Sequence, residues 1–358
     1  MTLMKWVLTV VLAAGLGPPA SPARAAEKVV LAHALPALSA SFAIASSLPT
    51  YLGYWKEEGL EVEVVTNRGA AAAVQLVIGG KADVTSANPG TAITAVHKGE
   101  DLVVFYTSLR GDIFGIAFPE GSGLKEIKDL KGKIIGVSSF ASGGTNYIRA
   151  LLTQAGLKAG VDADIVEVGV GGRAAAAVQS KQVHALSLWD EAYAKMEAEG
   201  LKFTKIISDP RARYHLAGSM TTRRENLAKR RQVLAGVARG VAKAQLFQET
   251  NPEAAVRIHW KVYSQSAPRG GVTDAAVKQE AKVISVRKGI QAKDAFGTRR
   301  YGDVPKDKMD EFQEYLVTSG LIQAKMDVGR FSTDELIPEI NRFDAAAVIK
   351  RAKEFKLP

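Results

Sequence analysis

The chain contains no cysteine, and this absence removes several classes of site and function. Disulfide bonds, thiolate metal sites and cysteine nucleophiles are all excluded. The stability of the fold must therefore come from a hydrophobic core. With 358 residues and 47% hydrophobic content, the chain is long enough for one large domain or two of roughly 100–200 residues each.

Motifs of catalysis and of nucleotide binding are absent as well. The five histidines are scattered along the chain, and none is followed by another four residues later, as a metal-binding helical pair requires. No Gly-x-Ser-x-Gly elbow occurs. The glycine runs at 142–145 and 169–172 have the spacing of neither a phosphate-binding loop nor a dinucleotide fingerprint. We therefore expect no catalytic residues, no resident metal and no cofactor.

Long apolar runs are also missing, since the N-terminal one covers only residues 6–16 and is too short to cross a bilayer. Lys5 precedes it, and a proline-containing stretch follows that ends in Ala23-Arg24-Ala25, the small-x-small pattern of a cleavage site. Residues 1–25 are thus predicted to be a secretory signal peptide. Because no cysteine is available for lipid attachment, we expect a soluble protein of the bacterial periplasm.

The formal net charge is +10, and only Lys5 and Arg24 of the basic residues belong to the predicted signal. Much of the excess lies at 223–224 and 229–231, inside a helical pattern, which predicts a solvated helix face. Nucleic acid is not an expected partner of an exported protein. A positive field would instead favour the arrival of anionic ligands. We expect a monomer.

The hexapeptide Ala-Ala-Ala-Ala-Val-Gln occurs twice, at 70–75 and at 174–179. Each copy follows an apolar, strand-like run and a short element of glycine and arginine, and each is followed by another strand-like run. The same unit of strand, glycine loop, helix and strand therefore occurs once in each half of the chain. Internal repetition of this kind predicts two related lobes.

Alternation of strands and helices with short glycine-rich connections predicts an α/β fold with mainly parallel sheets flanked by helices. We expect a two-lobed clam-shell in which the chain crosses near 110–114 and returns near 217–221. Lobe one would contain residues 26–112 and 219–358, including a run of C-terminal helices. Lobe two would contain residues 113–218.

Ligands of open α/β sheets bind beyond the carboxyl ends of the strands, where helix N-termini converge. Several loops at these positions carry hydroxyl, amide or guanidinium donors, and a helix N-terminus adds free N–H groups that attract anions. Each loop taken alone is commonly no more than a helix cap. The candidates at this rim also include His33 and Asp190, while Phe42 and Phe140 are candidate apolar walls. His215, near the predicted return strand, is a further candidate for ligand contact. Trp189 is suited either to stacking on a ligand or to packing between the lobes.

Four stretches of the chain, at 53–63, 78–84, 124–137 and 188–191, are together typical of one family. In this order and spacing they resemble the periplasmic substrate-binding proteins of ABC importers of the nitrate/sulfonate/taurine type. The resemblance covers essentially the whole chain after the predicted signal. Two departures are His184, where the family often has aspartate, and Pro49, which falls inside a helix that is usually smooth.

This resemblance implies the periplasmic-binding-protein clam-shell of type II, with the ligand at the hinge. It implies capture of a small organic anion, a sulfonate or carboxylate, and its delivery to an ABC permease. An aromatic or pyrimidine ligand, a sensory role and an enzyme of thiamine-pyrimidine synthesis are the alternatives, and the missing cysteine argues against the last. Carried over by position, the implied ligand-binding residues are Ser41, Phe42, Arg68, Asn88, Ser139, Thr145, Arg173 and Trp189.

Overall fold

The computed structural model describes residues 25–208, 216–294 and 297–357. Residues 1–24 of the predicted signal peptide and His215 lie outside this part. Within it the strands are β1 Glu27–His33, β2 Leu60–Thr66, β3 Val84–Ala87, β4 Leu102–Leu109, β5 Phe114–Pro119, β6 Ile134–Val137, β7 Asp164–Glu167, β8 Ala185–Trp189, β9 Phe203–Ile207 and β10 Gly218–Arg223.

Fifteen α-helices and four short 3-10 helices accompany the strands in the described residues. The α-helices are α1 Ser47–Tyr51, α2 Tyr54–Glu57, α3 Ala70–Ile78, α4 Pro89–His97, α5 Gly143–Gln154, α6 Gly172–Gln179, α7 Asp190–Ala198, α8 Glu225–Lys229, α9 Arg231–Thr250, α10 Pro252–Val262, α11 Asp274–Ser285, α12 Lys288–Gln291, α13 Lys306–Thr318, α14 Ile337–Ile340 and α15 Ala345–Glu354. The 3-10 helices are Ala40–Ala45, Ile127–Leu130, Ser264–Ser266 and Val328–Arg330.

Two five-stranded sheets form the two lobes, with strand orders β2-β1-β3-β10-β4 and β7-β6-β8-β5-β9. In each sheet four strands run in one direction, and β10 or β5 runs antiparallel between its neighbours. The chain leaves the first sheet after β4 and returns to it with β10. The predicted α/β clam-shell with mainly parallel sheets is therefore confirmed.

The repeated hexapeptide lies in equivalent helices, at the start of α3 and over the last six residues of α6. The units β2-α3-β3 and β7-α6-β8 have the predicted order, and Ala73 and Ala174 are fully buried where the helices meet the sheets. Gly69 precedes α3 with φ of 134°, in the region that favours glycine. A Cβ at this position would lie 2.5 Å from the carbonyl oxygen of Ala141, in the other lobe. Glycine is thus required here because the two lobes approach each other closely.

The helix predicted around Pro49 is interrupted at Ser46, whose φ of −150° and ψ of −95° separate the 3-10 helix Ala40–Ala45 from α1. Pro49 lies in the first turn of α1, where its missing N–H costs nothing. A new helix therefore begins at Ser47, with Pro49 in its first turn. The helical pattern from residue 225 to 249 is divided into two helices, because Arg230 has φ of −132° and separates α8 from α9.

The prediction of a simple solvated face for the basic run at 229–231 is wrong. Arg230 pairs with Glu27 at 2.9 Å and with Asp83, and Arg231 pairs with Glu339 at 2.7 Å. These contacts tie the start of α9 to the first sheet and to α14. They account for much of the local positive charge.

Candidate functional site

The junction between the lobes brings together the carboxyl ends of β1 and β8, the 3-10 helix Ala40–Ala45 and the segment between α11 and α12. Both strands lie inside their sheets, and their ends are where α/β proteins bind ligands. An apolar cluster continues through this junction and includes residues of both sheets, such as Val104 and Ile116. The junction therefore offers polar side chains on a rigid, mostly apolar background.

Phe42 is the shared neighbour of two polar groups at this junction. The ring of His33, at the end of β1, meets the Phe42 ring edge-on with 5.2 Å between the centroids. The guanidinium carbon of Arg287 lies 4.9 Å from the centroid of the same ring, within the range of a cation–π contact. Phe42 thus positions a histidine and an arginine that are far apart in sequence.

Arg287 and Asp190 form an ion pair across the lobes. Arg287 Nε lies 3.1 Å from each carboxylate oxygen of Asp190, and Nη2 lies 2.5 Å from Oδ1. Burial alone would lower the pKa of Arg287, whose side chain is 1% exposed, but the charge of Asp190 more than offsets this and raises it. The arginine is therefore fully charged, and both carboxylate oxygens of Asp190 bind to it.

Four side chains at this junction carry buried polar atoms without a hydrogen-bond partner in the described part of the chain. The atoms concerned are both ring nitrogens of His33, Oγ of Ser41, Nε1 of Trp189 and Nη1 of Arg287. His33, Ser41 and Arg287 are at most 2% exposed. Burying a polar group without a partner costs about 1–3 kcal/mol, so such a cluster is expected where a ligand supplies the partners.

The chemistry of these groups favours a ligand rich in acceptors. Trp189 Nε1 and Arg287 Nη1 only donate, and Ser41 can donate. Burial lowers the pKa of His33 to about 4, so that at neutral pH the ring is uncharged and donates from one nitrogen only. The cluster therefore suits oxygen atoms that carry a negative charge.

A second polar network crosses the lobes beside this cluster. Glu191, which is 3% exposed, accepts a hydrogen bond from Ser39 Oγ at 2.9 Å and pairs with Lys195 at 3.0 Å. Lys195 also lies 3.4 Å from Glu280 of α11. Burial alone would raise the pKa of Glu191, but Lys195 and then Arg287 more than offset this and lower it. Glu191 is therefore ionised and fully partnered.

Of the eight residues suggested by the resemblance, Ser41, Phe42 and Trp189 lie at this junction. Asn88 caps α4: its Oδ1 accepts from the Gly90 N–H at 2.8 Å, and its Nδ2 donates to the Leu216 carbonyl at 3.0 Å. The local prediction of a helix cap is confirmed there. A ligand role for Asn88 stays a prediction.

The remaining candidates occupy the loops at the mouth of the cleft. Thr145 is buried and donates to the Ser139 carbonyl at 2.7 Å, while Ser139 Oγ donates to the Arg68 carbonyl at 2.8 Å. The latter bond joins the two lobes. The side chains of Arg68 and Arg173 are exposed. The Arg68 and Ser139 loops thus close one edge of the cleft. Contact with a ligand stays a prediction for all four residues.

Phe140, a candidate apolar wall, is 55% exposed, and it is therefore not part of a buried wall in this arrangement. Arg287 was missed by the sequence reasoning altogether. It lies between two helices of a basic stretch, and no local pattern distinguishes it from a surface arginine. Its partner Asp190 is 97 positions away, so only the folded chain reveals the pair.

A separate cavity of about 530 Å³ lies on the first lobe, between β4 and the segments at 297–306 and 328–337. Its lining mixes Arg224, Lys306 and Asp334. Among the described residues, no group of three or more His, Asp or Glu side chains could hold a metal ion, and no helix is long and apolar enough to cross a membrane.

Solved structures with the same fold were found over nearly the whole chain. One is a protein from Bordetella bronchiseptica RB50, with 23% identity, 89% of this chain and 98% of that chain covered, and a TM-score of 0.69. Another is the alkanesulfonate-binding protein SsuA from Xanthomonas axonopodis pv. citri bound to MOPS, with 16% identity, 88% and 99% covered, and a TM-score of 0.64.

The periplasmic aliphatic sulphonate binding protein SsuA from Escherichia coli is similar as well, with 18% identity, 85% and 96% covered, and a TM-score of 0.59. The desulfurization enzyme DSZB also shares the fold, with 16% identity, 87% and 98% covered, and a TM-score of 0.56. At these identities the similarity establishes the fold and leaves the ligand open. No curated protein matches the sequence.

The model of the family described as NMT1/THI5 like matches residues 48–255, which is more than half of the chain. The matched segment contains β2 to β10 and the whole of α9, and hence most of both sheets. The chain belongs to the NMT1/THI5-like family and has the fold of the periplasmic binding proteins.

Proposed function

We propose that this protein is an extracytoplasmic solute-binding protein that captures a small organic anion, a sulfonate or a carboxylate, between its lobes. The observation that carries the proposal is the set of four side chains at the junction with buried, unpartnered polar atoms, two of which, His33 and Arg287, contact Phe42. Sulfonate and carboxylate oxygens would supply the missing acceptors. Two of the similar structures are described as sulfonate-binding proteins, which supports the same ligand class.

Delivery to an ABC permease and residence in the periplasm as a monomer complete the proposal. They are supported by the fold and by the signal-like N-terminus. A ligand held by groups of both lobes would stabilise the closed arrangement, because it binds that arrangement better than an open one. Binding and closure would then be a single event that a permease can recognise.

Two of the alternatives, an aromatic ligand and an enzymatic role, have less support. One face of the Phe42 ring is covered by the Arg287 guanidinium, so Phe42 is poorly placed to sandwich an aromatic ligand. Trp189 alone would have to provide the stacking surface. We also propose binding rather than catalysis, although DSZB shows that the fold can host an enzyme. The buried groups at the junction include no cysteine nucleophile.

Isothermal titration calorimetry with a small panel tests the proposal. Ethanesulfonate, MOPS and benzoate are the anionic probes, and benzamide is the neutral control that matches benzoate in shape. We expect saturable binding of at least one anion and no binding of benzamide. Binding of benzamide together with failure of every anion would contradict the proposal and favour a neutral aromatic ligand.

A further inference from the structure

Arg287 lies outside the segment matched by the family model, yet it is the cation at the centre of the inter-lobe junction. Much of its guanidinium environment is fixed: Asp190 holds Nε and Nη2, and the central carbon lies 4.9 Å from the centroid of the Phe42 ring. Nη1 is buried and has no partner among the described residues. The guanidinium can therefore donate hydrogen bonds to one further acidic group, at the edge that carries Nη1.

The charges around this edge balance before any ligand arrives. Arg287 is matched by Asp190, and Lys195 is matched by Glu191. Glu280 of α11 adds a further carboxyl group on the Lys195 side, and burial raises its pKa. His33 and Ser41 contribute neutral groups at neutral pH. The junction therefore has no surplus positive charge among these residues.

This balance matters because charges interact strongly when they are buried. A singly charged anion at Nη1 would gain charge-assisted hydrogen bonds and face one nearby carboxylate that is already paired. A doubly charged anion would place a second negative charge near Asp190 and Glu191 without a cation to offset it. Removing a dianion from water is also much costlier than removing a monoanion.

We propose that Arg287 is the specificity-determining cation of the inter-lobe site and that Asp190, by neutralising it, restricts the site to singly charged anions. Organosulfonates and monocarboxylates are then accepted, while sulfate and succinate are rejected. This inference rests on the proposed function and goes further by assigning the charge of the ligand to one ion pair.

Calorimetry on four variants tests the assignment with ethanesulfonate and sulfate as probes. Arg287→Gln is expected to weaken ethanesulfonate binding by at least about tenfold, as the loss of a hydrogen bond to a charged group does. Asp190→Asn is expected to bring the two affinities closer by at least about tenfold. Arg257→Gln and Asp274→Asn break an exposed pair of the same chemistry at 2.6 Å near the start of α11, and they are expected to change neither affinity.

Asp190→Asn leaves a buried guanidinium without its carboxylate and can impair folding, so the wild-type protein provides a second test. Inorganic phosphate is singly charged below its second pKa and doubly charged above it, whereas sulfate stays doubly charged. We expect phosphate to compete with ethanesulfonate at pH 5.5 and at least about tenfold less well at pH 8.5. Sulfate should compete poorly at both values.

The results separate this inference from the proposed function. If no anion binds the wild-type protein, the proposed function fails. If ethanesulfonate binds but Arg287→Gln retains the wild-type affinity, only the role of Arg287 is wrong. If phosphate competes equally at the two pH values, or better at pH 8.5, the selection of singly charged anions is overturned.

Discussion

Replacing Ser41 by alanine is expected to stabilise the ligand-free protein and to weaken ligand binding. Ser41 is 1% exposed, and its hydroxyl has no hydrogen-bond partner in the part of the chain that the structure describes. In most buried positions a hydroxyl is bonded, and its removal destabilises the fold. The opposite sign expected here identifies a group that is held ready for a ligand.

The magnitude follows from the hydroxyl alone, because serine and alanine differ little in volume and no sizeable cavity is created. An unsatisfied buried hydroxyl costs about 1–3 kcal/mol, so the free energy of unfolding of Ser41→Ala should rise by about 1 kcal/mol or more. A hydrogen bond from this hydroxyl to an anion is worth about 1.5–3 kcal/mol, which predicts a dissociation constant about tenfold or more weaker.

Ser46 provides the matched control, since it lies in the same segment and is fully buried. Its Oγ donates to the Phe42 carbonyl at 2.9 Å. Ser46→Ala should therefore lower the free energy of unfolding by about 1 kcal/mol and leave affinity nearly unchanged. Urea denaturation gives the stabilities of both variants, and calorimetry with ethanesulfonate gives the affinities. If Ser41→Ala loses as much stability as Ser46→Ala, Ser41 is a bonded structural residue and the reasoning is refuted.

Three further predictions concern stability. Burial lowers the pKa of His259 from 6.5 to about 4, so the unfolded state binds a proton at a higher pH than the folded state, and roughly 3 kcal/mol of the free energy of unfolding should be lost as pH falls through this window. Denaturation at pH 7 and at pH 4.5 should show a smaller loss of stability in His259→Gln than in the wild type. Burial raises the pKa of Glu249 from 4.5 to about 7, so the folded state loses stability as pH rises through that window. The free energy of unfolding of Glu249→Gln should therefore exceed that of the wild type by about 1–3 kcal/mol at pH 8 and by little at pH 4. A Cβ on Gly240 of α9 would lie 2.4 Å from Trp55 Cδ1, so Gly240→Ala should lower the free energy of unfolding by about 1–3 kcal/mol despite a helix-propensity gain of about 1 kcal/mol. In the control Gly236→Ala the new Cβ would lie 3.1 Å from its neighbours, and the melting temperature should be nearer to that of the wild type.

Local patterns of the sequence were sufficient to predict the fold. The repeated units could be predicted because each strand, glycine loop and helix depends mainly on residues that are adjacent in the sequence. Asn88 followed by Pro89 is likewise a local signal for the start of a helix, and α4 begins there. Asn88 is a less direct ligand candidate, since its Oδ1 caps α4 and its Nδ2 donates to the Leu216 carbonyl.

The candidate site was harder to predict because its parts come from distant segments. Ser41, Phe42 and Trp189 could be placed at the rim by position. Arg287 could not, because its environment depends on the packing of α11 against α7 and the 3-10 helix Ala40–Ala45. The break at Arg230 also involves contacts between distant segments, since the Arg230 side chain pairs with the carboxylates of Glu27 and Asp83 at the first sheet. Helix propensity alone does not predict a break at this position.

A crystal structure of the protein with bound ethanesulfonate tests the central claim most directly. The account predicts the sulfonate oxygens between the lobes, within hydrogen-bonding distance of Arg287 Nη1 and Trp189 Nε1, with Asp190 still paired to the guanidinium. A sulfonate in the cavity beside β4, or one between the lobes that leaves both of these nitrogens unbonded, would contradict it.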